Sequence, residues 1–74
     1  MNNVNGLISE IFYEVFQCSV DESDSIETIA LWDSMGHMEL MAVIEIKCGI
    51  RIEPEEIINL TSVSAIKKYL GDKL

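Results

Sequence analysis

The residues best equipped for chemistry lie together in "LWDSMGHMEL", residues 31–40, where Asp33, Ser34 and His37 fall within a few positions of one another. A serine used as a nucleophile needs a base, and the base needs an orienting group. His37 is the only histidine, one turn beyond Ser34, and no acidic residue stands behind it as an orienter. The G-x-S-x-G elbow is absent, because the residues read Trp32-Asp33-Ser34-Met35-Gly36. The pattern therefore disfavours hydrolysis. Two other uses of Ser34 fit its neighbours. It can start a helix, or it can carry a group there, because unpaired backbone N–H groups and the helix dipole favour an anion such as a phosphodiester. Asp33 can cap the helix by itself, which leaves the Ser34 hydroxyl free to face solvent. Metal chemistry has little support. Cys18 and Cys48 are far apart with only His37 between them, and no Cys or His spacing suits zinc. In "DESDSIETIALW" the acids and serines begin like a calcium loop, but Ile26 stands where glycine is needed and Trp32 where glutamate is needed.

The elements that must position Ser34 are helical. Leu7, Ile8, Ile11, Phe12, Val15 and Phe16 repeat at the spacing of one wide apolar stripe, predicting an amphipathic helix over residues 3–16 with Asn3 or Asn5 as its cap. Residues 17–33 are polar and acidic. They read as a long connection pinned to the core by Val20, Ile26, Ile29, Leu31 and Trp32, and a loop of that length in so short a chain is itself a functional hint. A second helix is predicted from Ser34 to Cys48, closed by Gly49 in a left-handed conformation. Pro54, followed by Glu55 and Glu56, suits the first turn of a short third helix. Thr61 or Ser62 would cap a last helix with Val63, Ile66, Tyr69 and Leu70 facing inward and Lys67, Lys68 and Lys73 toward its C-terminal end. The expected fold is one all-α domain over residues 1–74: a four-helix bundle of three main helices and a short third, with a long first loop.

The second helix is apolar almost all round. Leu40, Ile44 and Cys48, with Val43 beside them, make a coherent core stripe, while Met35, Met38, Ala42 and Ile46 fall on another face, edged by Glu39 and Glu45. Methionine suits adaptable contact surfaces. An apolar strip rimmed with acid fits a partner with apolar pockets ringed by Arg and Lys.

Composition bounds the rest. Thirteen Asp and Glu against five Lys and Arg give a formal net charge of −8. That argues against nucleic acid and against an anionic membrane surface, and leaves two uses for the acids: meeting basic protein partners, or simply keeping the domain in solution. A core of this size supplies roughly 3–5 kcal/mol, which suits a small bundle better than a deep preorganised cleft. The N-terminal stretch lacks a basic segment followed by a long apolar run, and no segment has transmembrane length. The expectation is a cytoplasmic monomer with two reduced, packed cysteines.

"DSMGHMELMAVIE" resembles the phosphopantetheine attachment motif of acyl carrier proteins, Asp-Ser-Leu followed by a helix containing a Glu-Leu pair. Ser34 stands at the modified serine, Asp33 before it, Met35 at the usual leucine and Glu39-Leu40 at the pair. The likeness continues through the long first loop, the Gly49-Ile50 turn, "EPEEI" and "LTSVSAIKKYL". Ile46 and Lys47 stand where the family often has acids, and Cys48 where phenylalanine is common. The resemblance implies a carrier, not an enzyme, whose Ser34 receives 4'-phosphopantetheine from coenzyme A through a phosphopantetheinyl transferase. The terminal thiol would hold acyl or aminoacyl groups supplied by an activating enzyme and passed to a downstream transferase or synthase, in a specialised biosynthetic pathway. Asp33, Met35, Met38, Glu39, Ala42 and Glu45 would be read by those partners. The alternative is an unmodified acidic interaction domain that uses the same apolar face.

Overall fold

The computed structural model describes residues 4–74, so the start of the first helix at residue 3 and the Asn3 cap lie outside the described residues. Among the described residues there are four helices and no strand: α1, Val4–Phe16; α2, Ser34–Cys48; α3, Pro54–Ile57; and α4, Val63–Lys73. The all-α bundle with a short third helix and a long first loop is therefore the architecture of this chain.

In α1, Val4, Ile8, Ile11, Phe12 and Phe16 are buried, with Leu7 and Val15 half-buried at the margins of the stripe. The helix ends at Gln17, which takes a left-handed φ of 57° without being glycine and donates its N–H to Tyr13 O at 2.8 Å. The loop that follows is sewn to the start of α4. Ser25 and Ser62 form an isolated antiparallel bridge, Ile26 N–H donates to Thr61 O at 3.0 Å, and Val63 N–H donates to Asp24 O at 3.0 Å. These bonds satisfy backbone groups that a long connection otherwise leaves to water. An exposed ion pair between Lys67 and Glu22 lies across the same junction.

The loop does not pin both of its last apolar residues inward, as its sequence suggests. Trp32 is 1% exposed, while Leu31 beside it is 61% exposed. Trp32 N–H donates to Ile29 O at 3.0 Å, making a tight turn in which adjacent side chains diverge, and the larger indole takes the core position. It meets Phe12 edge-on at a centroid distance of 5.2 Å and lies 6.0 Å from Phe16. Such aromatic contacts are worth about 0.5–1.5 kcal/mol beyond the area they bury.

The helix signals act where the sequence places them. Asp33 Oδ1 accepts from Gly36 N–H at 2.8 Å, and Gly49, at φ 65°, donates its N–H to Glu45 O at 2.9 Å. Pro54 opens α3, where Glu56 Oε1 reaches back to accept from Glu53 N–H at 3.1 Å. Ser62 caps α4 by accepting from Ala65 N–H at 3.1 Å. Val63, Ile66 and Leu70 of α4 join Leu40, Met41 and Ile44 of α2 in the core, and Tyr69 is half-buried. No helix among the described residues is long and apolar enough to cross a membrane.

Candidate functional site

The first turn of α2 presents Ser34 outward. Ser34 is exposed and is the first residue of the helix, while Asp33, in extended conformation, performs the capping. Asp33 satisfies two of the first-turn donors: its carboxylate accepts from Gly36 N–H, and its carbonyl from His37 N–H at 2.7 Å. The Ser34 hydroxyl makes no hydrogen bond among the described residues, and the Ser34 and Met35 N–H groups stay beside it at the positive end of a 15-residue helix. An anionic ester on Ser34 would meet an environment that favours it.

His37 is excluded as a base for Ser34 by its partners. Trp32 Nε1–H donates to His37 Nδ1 at 2.9 Å, so that nitrogen is the acceptor. Nε2 then carries the proton and donates to Ile57 O at 2.7 Å. Both ring nitrogens are committed, the ring is buried, and it stacks beside the indole at 6.1 Å. The pair clamps the start of α2 to the end of α3. The sequence does contain a signal for it: a buried tryptophan N–H needs an acceptor, and a lone histidine five residues on can supply one.

Gly36 brings the first turn close to its surroundings. A Cβ there would lie 2.2 Å from Leu31 O, 3.0 Å from Phe16 Cε1 and 3.3 Å from Asp33 Oδ1. The turn bearing Ser34 is thereby packed directly against the loop and the end of α1.

Along α2 the two faces separate. His37, Leu40, Met41 and Ile44 are buried, with Val43 and Cys48 half-buried. Burial pushes the Cys48 thiol above its ordinary value, and neither Cys18 nor Cys48 forms a disulfide. Met41, which the helical pattern leaves unassigned, is 2% exposed and belongs to the core. On the opposite face Met35 is 83% and Ile46 80% exposed, with Met38 and Ala42 also open, so the structure brings the sequence-predicted strip together. Leu31, before the helix, and Ile58, just beyond α3, are further exposed apolar side chains.

The acids differ. Glu39 is exposed beside the strip. Glu45 is half-buried, and its carboxylate accepts from Ile52 N–H at 2.8 Å, holding the turn after α2. Lys47 is held by Glu14 at 3.0 Å, and that hydrogen bond raises its pKa. Comparisons of this chain with models of protein families, with curated proteins and with solved structures find no match.

Proposed function

We propose that this chain is a carrier protein of the acyl carrier type, modified on Ser34 with 4'-phosphopantetheine. The observation that carries the reading is an exposed, uncommitted serine hydroxyl on the first residue of α2, with capping delegated to Asp33 and an exposed apolar strip beginning at the next residue. A serine that served the fold would be bonded into it; among the described residues the Ser34 side chain has no such bond.

The residues present fit the group. The Ser34 hydroxyl accepts the phosphodiester linkage, the adjacent N–H groups and helix dipole favour its charge, and the missing side chain at Gly36 lets the turn sit tight against Phe16 and Leu31. In the modification, Ser34 Oγ bonds to the phosphorus of the pantetheine half of coenzyme A. The pyrophosphate bond breaks, the adenosine bisphosphate departs, and the serine proton goes to a base on the transferase, since His37 is committed within the fold. Once attached, the arm supplies a terminal thiol that holds acyl or aminoacyl groups as thioesters. The chain's own contribution is presentation. Met35, Met38 and Ala42 offer apolar contact, Asp33 and Glu39 offer charge at its edge, and a net charge of −8 steers the domain toward basic partner surfaces. The partners are a phosphopantetheinyl transferase, an acyl- or aminoacyl-activating enzyme and a downstream transferase or synthase. The domain acts as a cytoplasmic monomer and has no catalytic role of its own.

The test is the intact mass after incubation with coenzyme A, magnesium and a broad-specificity phosphopantetheinyl transferase. One added phosphopantetheine, absent in Ser34→Ala, is expected. If the folded protein gained no mass with transferases of its own source organism, the carrier reading would fail and an unmodified interaction domain would stand in its place. Glu39→Lys should slow the modification at low ionic strength and leave helicity unchanged.

A further inference from the structure

A groove of about 350 Å³ lies between the end of α1 and the loop, beside the turn that bears Ser34. Phe16, Ile29, Ala30 and Leu31 form its apolar wall. Two of these residues, Phe16 and Leu31, are the ones that crowd the Cβ position of Gly36, so the groove abuts the first turn of α2 directly. Leu31 precedes Ser34 by three residues, which limits the distance between them along the chain to about 11 Å. An extended pantetheine arm exceeds that reach.

The polar side of the groove has one sign. Asp24 and Thr28 line it, and Thr28 Oγ1 donates to Asp24 Oδ1 at 2.9 Å. Asp24 Oδ2 accepts from Asp21 N–H at 2.8 Å. A carboxylate offers about four lone-pair sites, so Asp24 keeps acceptor capacity after both bonds. Among the described residues the lining includes no Lys, Arg or His. Resting on the carrier reading, we propose that this groove receives the end of the Ser34-borne arm and selects cargo bearing a protonated amine: the carbon chain lies on Phe16, Ile29 and Leu31, and the ammonium meets Asp24. The cargo class is aminoacyl rather than simple acyl. A carboxylate as the only charge in an apolar-walled groove attracts a cation, disfavours a dicarboxylic cargo and gives nothing extra to a plain hydrocarbon.

The experiment uses the whole chain, isotopically labelled and loaded on Ser34 with three stable amide-linked pantetheine analogues: an amine-terminated cargo, its N-acetylated form, and the des-amino cargo of equal length. Intact mass first verifies loading, and amide and side-chain resonances of Phe16, Cys18, Thr28, Ile29 and Ala30 report docking. The amine cargo should shift these resonances with a docked-to-free ratio about two- to fivefold above the other two, as expected of an exposed charge pair. Raising the salt should reduce that advantage. Acetylation removes the charge without altering the protein, so the comparison is independent of folding. Ala30→Trp, at an exposed position, should block the groove for all three cargoes. Equal shifts for all three would overturn the selection of an amine, and no shift at these residues would overturn the groove as the docking place. A chain that does not load at Ser34 would overturn the carrier reading, and this inference with it.

Discussion

Gly36 allows the packing around Ser34 to be tested by a substitution whose sign runs against helix propensity. In an ordinary helix, glycine to alanine gains about 0.8–1.0 kcal/mol. At Gly36 the added methyl would stand 2.2 Å from the carbonyl oxygen of Leu31, a separation at which something must move, and 3.0 Å from a Phe16 ring carbon that is itself buried. The carbonyl is backbone, anchored by the neighbouring turn that places Trp32 in the core, so relief requires displacing the loop or the first turn of α2. Overpacking of this kind costs typically about 1–3 kcal/mol. An approach of 2.2 Å to a backbone atom puts the cost in the upper part of that range, about 2–3 kcal/mol, and subtracting the propensity gain leaves Gly36→Ala less stable by about 1–2 kcal/mol. Gly71 is the control. It lies in α4 with nothing among the described residues within 4 Å of its Cβ position, so Gly71→Ala should gain up to about 1 kcal/mol. Urea denaturation followed by far-UV circular dichroism measures both, and each kcal/mol should move Tm by about 4–8 °C in a domain this small. A Gly36→Ala protein as stable as the parent, or gaining as much as Gly71→Ala, would refute the close approach of Leu31 to the helix.

Other substitutions separate the scaffold from the presented surface. His37→Ala should orphan the buried Trp32 N–H and open space behind it, costing about 2–4 kcal/mol and shifting tryptophan fluorescence; a change below about 1 kcal/mol would argue against the clamp. Glu45→Ala leaves the N–H of buried Ile52 without its acceptor and should destabilise by about 1–3 kcal/mol, whereas Glu39→Lys, on the open face, should leave the denaturation midpoint nearly unchanged. Tyr69 donates to Glu56 Oε1 at 2.9 Å, and burial, followed by that bond and the charge of Glu56, pushes its phenol up to about 12. A folded pKa above the unfolded value of 10 stabilises the fold fully below pH 10, and this contribution is lost as pH rises toward 12. Tyr69→Phe should therefore flatten the alkaline limb of the stability profile between these values; an unchanged limb would show that the fold does not hold the Tyr69 phenol in its neutral form.

The legible part of this molecule is the part governed by short-range rules. Asp33, Gly49, Pro54 and Ser62 mark helix limits because capping, left-handed closure and a fixed φ act within a few residues. The stripe of α1 and the separation of Met35, Met38, Ala42 and Ile46 from Leu40 and Ile44 follow from helical geometry alone. Ser34 stands out by the same logic, as a serine at a helix start that another residue already caps.

The tertiary structure decides what periodicity does not reach. Leu31 and Trp32 are adjacent and both apolar, yet one is exposed and the other central, because an irregular turn has no fixed repeat and the aromatic cluster of Phe12 and Phe16 accommodates only one of them. Met41 is buried while Met38 is open, since only the first faces the packed side of α2. The loop gains its order from bonds between residues far apart in sequence, Ser25 with Ser62 and Asp24 with Val63. His37 becomes part of the scaffold only when α3 brings the carbonyl of Ile57 to its Nε2. The sequence by itself determined the helices, their limits and the serine worth asking about. Which side chains surround that serine, which acids are already engaged and where a groove opens beside it depend on long-range packing, which joins segments that no local pattern relates.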